Sequence, residues 1–171
     1  GIKNDFDLYL KNLNSAGKKD PLYSSNIQID GMSILKFDSV LPLSKSTNIS
    51  RQTLTPKNSL RINPGNNMDN YSNSSTNITA NNVYDINRLG ISDVFEAGRS
   101  LTFGFDYKFD PLENDISENT KDKYFEVKLA TVARDEFEND IPISSTINKK
   151  NSDIFGSINN RLFNNLDLTY D

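Results

Sequence analysis

The residues able to do chemistry in this chain are few in kind. Its 171 residues include no histidine and no cysteine, which removes the commonest general base, the usual catalytic triad, disulfides and most zinc sites. Carboxylates remain, but Asp and Glu are spread singly rather than paired for acid–base work. No catalytic, metal-binding or cofactor-binding group is expected, and the chain reads as a protein that makes and breaks no bond. Polar chemistry of another kind is concentrated in one run, VYDINRLGISDVFEAGR, where Asn87, Arg88, Gly90, Asp93, Glu96 and Arg99 stand close together. Opposite charges a few residues apart, with glycines that permit unusual backbone, suit a loop folded back by charge-assisted hydrogen bonds. The competing reading is a solvated loop whose charges contribute little each.

The segment that must position this loop follows it directly. From Ala97 the odd positions are Ala97, Arg99, Leu101, Phe103, Phe105, Tyr107 and Phe109, and the even ones are Gly98, Ser100, Thr102, Gly104, Asp106, Lys108 and Asp110. Strand side chains alternate between faces, so this period of two puts five large apolar groups on one side and small or polar groups on the other. A strand of about ten to thirteen residues is predicted, longer than the usual five or six. Two environments fit it. In a soluble β-sandwich, Leu101, Phe103, Phe105, Tyr107 and Phe109 pack on a second sheet. In a membrane barrel they face lipid, and Ser100, Thr102 and Asp106, with Glu126 and Lys128 on a later strand, face a polar lumen.

The rest of the chain repeats this rhythm. GIKNDFDLYLKN reads as a strand, and so does the stretch from about Asn26 to Val40, with a bulge expected near Gly31. Two short or irregular strands are expected over residues 44–65, because Pro56 and Pro64 interrupt a long ladder. Residues 63–82 form a polar run of Asn, Ser and Thr, too long to be an incidental connection. KYFEVKLATVAR is a further strand, the patch Phe137, Ile141, Ile143 and Ile147 suggests another short one, and the end reads as strand, tight turn near Asn164 and Asn165, and strand. Up-and-down order then places 63–96 and 135–151 at the same end. No helical periodicity persists, and no second domain is expected.

Composition sets bounds. Hydrophobic residues make up 35% of the chain, the net charge is −4, the pI is about 4.9 and the mean hydropathy is −0.60. No apolar run approaches a membrane helix, which excludes helical spanning and leaves a barrel open. An acidic chain without basic clusters offers no footprint for nucleic acid. A start at Gly1 and an end inside the alternating Leu166, Leu168, Tyr170 suggest a piece of a longer protein.

Several short motifs, taken in order, carry a resemblance. They are Leu41-Pro42-Leu43, Leu54-Thr55-Pro56 with Arg61 and Pro64, Asn87-Arg88-x-Gly90 with Asp93 and Glu96-Ala97-Gly98-Arg99, then Gly104, and Ser152-Asp153-Ile154 with Gly156. This series resembles the C-terminal barrel of the LptD family, also called OstA or Imp, over roughly residues 40–171. The chain departs from the family where Leu89 replaces an aromatic, where one extra residue precedes Glu96, and where no arginine follows Asp93, so no role of that family arginine carries over. The resemblance implies an all-β fold, an antiparallel up-and-down transmembrane β-barrel segment with long polar loops, residues 1–171 forming part of that barrel. It implies the outer membrane of a Gram-negative bacterium, contact with its lipid, and transport and assembly of lipopolysaccharide (LPS) without catalysis. Its implied partners are LPS, an LptE-like lipoprotein plug, and a periplasmic LPS-transport bridge engaged through a domain absent from this segment. Asn87 to Arg99 would then lie in an extracellular loop capping the lumen. A soluble carbohydrate- or adhesin-type binding module, and a general porin or receptor barrel, are the alternatives.

Overall fold

A computed structural model describes residues 1–17, 26–65, 77–90, 96–112, 123–139, 141–163 and 166–170. The period-two segments form eight strands: β1 (Lys3–Ser15), β2 (Gln28–Val40), β3 (Leu43–Ser46), β4 (Ser50–Asn63), β5 (Gly98–Pro111), β6 (Phe125–Arg134), β7 (Phe155–Phe163) and β8 (Leu166–Tyr170). All pair antiparallel in one sheet whose spatial order follows the chain. Val40 faces Lys57 and Leu43 faces Leu54 in an unbroken register along β4, so β2 and β3 are one long strand bent at Leu41-Pro42. The sheet is open, with β1 and β8 at its two edges. Among the described residues there is no α-helix, and the only helical element is a single 3₁₀ turn at Ile143–Ser145.

Three local expectations are corrected. The register between β1 and β2 runs without a shift through Asn12↔Gly31, so no bulge forms there. Residues 44–65 do carry two strands, β3 and β4, but β4 runs unbroken through Pro56 for 14 residues rather than being short. The Pro56 carbonyl accepts the Leu41 N–H at 3.0 Å. In an antiparallel strand a residue's nitrogen and carbonyl point to the same neighbour, so the missing N–H of Pro56 falls at the β2–β3 bend, where the ladder is already interrupted. The apolar patch at 137–147 yields the 3₁₀ turn instead of a strand. Ile141 and Ile147 are buried there while Phe137 and Ile143 are exposed, and that split has no strand alternation. The turn at Asn164 and Asn165 lies outside the described residues.

The two faces of the sheet are inverted relative to a soluble fold. The face carrying Phe6, Leu8, Leu35, Leu60, Leu101 and Phe103 is exposed, and it includes a Phe6–Phe37 ring contact at 4.4 Å. The opposite, polar face is the covered one on β2 and toward one end of β4 to β6, while on β1 its residues Lys3, Asp5 and Tyr9 are exposed. Alternating strand direction sends the β4–β5 and β6–β7 connections to the same end of the sheet, as the sequence order predicted. Ile78, Val83, Leu89 and Ala97 from the first connection and Ile141 and Ile147 from the second meet Ala130 and Val132 of β6 in a small apolar core on the polar face. Together the described residues of these two connections form a cap.

The Pro56 geometry generates a prediction. Shifting the proline by one residue, Lys57→Pro, would delete an N–H directed at β5 and cost about 1 to 3 kcal/mol for the orphaned partner. Thermal denaturation should show that loss for Lys57→Pro and little change for Pro56→Ala.

Candidate functional site

The cap is held by charge. Strand alternation brings Arg61 of β4, Ser100 of β5 and Arg134 of β6 into one row on the polar face, each opposite the next. Glu96, two residues before β5, projects its carboxylate into this row. Arg88 reaches the same carboxylate from the loop, with Nε to Oε2 at 2.6 Å and Nη2 to Oε1 at 2.5 Å, a bidentate pair. Arg61 Nη1 donates to Oε2 at 3.2 Å, and Arg134 Nη1 donates to Oε1. One carboxylate therefore meets three guanidiniums. All four side chains are at most 5% exposed.

The remaining donors tie loop backbone to sheet. Arg88 Nη1 donates to Thr102 Oγ1 at 2.9 Å and to the Val83 carbonyl at 3.2 Å, and Nη2 donates to Ser100 Oγ at 3.0 Å. Arg61 Nη2 donates to the Asp85 carbonyl at 2.6 Å and also to that of Ile86. Arg134 Nη2 donates to the Ala97 carbonyl, and Asn63 Nδ2 to the Glu96 carbonyl at 3.1 Å. Further along, Lys128 Nζ donates to Asn81 Oδ1 at 2.8 Å. Burial alone would raise the Glu96 pKa, but Arg88 first, then Arg61 and Arg134, outweigh it and hold it down at about 2.

Glycine is required where the loop meets the sheet. Gly90 and Gly98 have φ of 67° and 79°, the left-handed region that side chains avoid. Gly90 closes a turn by donating its N–H to the Asn87 carbonyl at 3.0 Å. At Gly104 the need is space, because a Cβ there would come within 2.6 Å of Tyr84 Oη and 2.8 Å of Ala130 Cα. Tyr84 fills that gap with Lys57 Nζ 5.6 Å from its ring centre. Burial, followed by the charges of Asp106 and Asp38, raises the phenol pKa well above its ordinary value, so the group stays neutral.

The structure brings together Arg88 and Glu96 from the sequence-predicted loop motif. Asn87 contributes its carbonyl to the turn. Arg99 sits on the apolar-face parity, exposed, where it pairs with Asp135 at 2.6 Å. Asp93 lies outside the described residues. Leu101, Phe103 and Phe105 are 42%, 45% and 37% exposed, with Tyr107 and Phe109 half-buried on the same face. Ser100, Thr102, Asp106, Glu126 and Lys128 share the polar face. Ser100 and Thr102 are buried beneath Arg88 rather than open to an interior. Asp106 pairs with Lys57, and Glu126 with Lys128 at 3.4 Å.

A family model described as LPS transport system D, LptD, matches residues 7–171. The chain belongs to the LptD family. No curated protein and no solved structure matches it. In this LptD-family chain the site is a docking site for its own loop, held by an ion cluster that positions the loop on the sheet. Sequence reading missed the roles of Arg61, Arg134 and Tyr84. The available signal was parity, since Arg61 and Arg134 are strand-end arginines on the polar face, adjacent to the long connections.

Three predictions follow from the geometry. Glu96→Gln removes the carboxylate that three buried guanidiniums share, and should destabilise the docked loop by about 3 to 5 kcal/mol, measured by limited proteolysis within residues 77–97. Because the folded pKa of Glu96 is about 2 against an ordinary 4.5, its stabilisation is fully present above pH 4.5 and is lost as pH falls toward 2. Hydrogen exchange of the Arg88 and Gly90 amides should stay slow from pH 7 to 5, after correction for intrinsic rates, and accelerate only below that window. Gly104→Ala should loosen the same loop without reversing the pH dependence.

Proposed function

We propose that this segment is part of the wall of an outer-membrane β-barrel through which a Gram-negative bacterium delivers LPS to the outer leaflet. The observation that carries the proposal is the inverted partition of the sheet. Its aromatic face is exposed, and at the capped end of β4 to β6 its polar face is covered by the chain's own loops. In water such a surface is unfavourable by roughly 25 cal/mol for each Å² of apolar area. Against hydrocarbon it is the stable arrangement, with lipid on one side and a polar interior on the other. Strands of 13 or 14 residues are long enough to cross the roughly 30 Å hydrocarbon layer even when tilted. Family membership supplies the substrate class, LPS transport.

In this reading, further strands pair with β1 and β8 to close the barrel. An LptE-like lipoprotein occupies the interior, and LPS arrives over a periplasmic bridge. The capped end faces outward, because long connections belong to the extracellular side of such barrels. The barrel performs no covalent step and needs no cofactor. The cap weighs against a general porin, whose interior would be open. A soluble sandwich would need a second layer on the aromatic face, and among the described residues none lies there.

Far-UV circular dichroism and sizing of the purified chain, in buffer and then in detergent micelles, test the reading. Aggregation in buffer with β signal gained in detergent is expected. A monomer that unfolds cooperatively in plain buffer would overturn it. Within the intact barrel, Phe105→Arg should cost about 2 to 4 kcal/mol if the residue sits near the bilayer midplane, whereas Arg at position 109, toward the strand end, should cost less.

A further inference from the structure

The polar face of β4 to β6 is the natural place to look for a path taken by an anionic head group, and two independent features argue against one. The first is closure. Ser100 and Thr102, on the middle strand of that face at its capped end, are covered by Arg88, which makes five hydrogen bonds to the loop and the sheet. Opening the cap would part Glu96 from Arg61 and Arg134 and leave buried guanidiniums unpaired, a costly separation in a low-dielectric site. It would also expose the apolar core built from Ile78, Val83, Leu89 and Ile147.

The second feature is charge balance beside the cap. Lys36 pairs with Asp38, Lys57 with Asp106, Lys108 with Asp110 at 2.8 Å, and Lys128 with Glu126 at 3.4 Å. Each of these polar-face lysines already has a carboxylate. A phosphorylated head group arriving there would have to displace the existing partner of each lysine, and the surplus positive charge of this face sits mainly in Arg61, Arg88 and Arg134, which are buried under the cap and out of its reach.

We infer that the cap stays docked throughout transport, and that β4 to β6 form a fixed wall along which the LPS head group does not travel. The inference rests on the outer-membrane reading above and narrows it, since the moving parts of the path must then lie on other strands. Because this segment has no cysteine, single thiols can test it in the whole protein, provided any cysteines elsewhere in it are replaced. Ser100→Cys reports on the covered face, and Asn81→Cys, exposed on the loop, is the control. Cells exporting LPS, and cells with export blocked, are treated with a small membrane-impermeant methanethiosulfonate. The expected result is labelling of Asn81→Cys and protection of Ser100→Cys in both states. Labelling of Ser100→Cys that appears with export would overturn the inference.

A second variant, Asn81→Cys with Lys128→Cys, joins loop to strand through a short cleavable bis-thiol reagent. Export should show no loss on cross-linking, and a loss restored by cleaving the link would overturn the fixed wall. The outer-membrane reading is checked separately, by whether wild-type protein lies in that membrane and exports LPS at all. Protection of Ser100→Cys reads the cap alone.

Discussion

One carboxylate organises the covered side of this protein. Glu96 is bound by Arg88 from its own loop and by Arg61 and Arg134 from strands on either side of β5. Those three guanidiniums also hold four loop carbonyls, those of Val83, Asp85, Ile86 and Ala97, and Asn63 holds a fifth, that of Glu96. Where the long connection lies, and which backbone groups find partners, both depend on that anion. A neutral side chain at position 96 would leave positive charge with no counter-ion in a dry site. Loop position and charge compensation are therefore the same physical problem.

The second constraint is the sheet's reversed polarity. Apolar residues are abundant enough to build a core, yet most of the large ones stand on the exposed face, and the buried apolar cluster is small and confined to the capped end. A sheet of this kind gains little from water exclusion on its aromatic side unless hydrocarbon replaces the water. Membership of the LptD family and the inverted faces thus converge from independent directions, one from sequence similarity and one from surface chemistry.

Most of the sheet was legible because alternation is local. The faces of β5 and β6 could be assigned from the run beginning at Ala97 and from the KYFEVKLATVAR segment, and the end to which each long connection goes followed from strand order. The errors arose where tertiary context overrode a local signal. Pro56 looked like a strand breaker, but its missing donor falls at the bend between β2 and β3. Gly31 looked like a bulge and is an ordinary ladder position. Half the ion cluster was visible as Arg88 and Glu96 within one motif. The other half was hidden, because Arg61 and Arg134 are 73 positions apart in sequence and meet only when β4, β5 and β6 stand side by side.

That separation makes the cluster sensitive to strand register. The β2–β3–β4 hairpin closes through a short turn at Thr47 to Ser50 and can form locally. Arg88 and Glu96 pair within one loop, but Arg61 and Arg134 reach that carboxylate only when β4, β5 and β6 stand in the register that sets Arg61, Ser100 and Arg134 in one row. A slip of one residue on either outer strand would turn its arginine to the apolar face and leave the buried carboxylate short of a partner. The cluster therefore ties the position of the loop to the register of the wall.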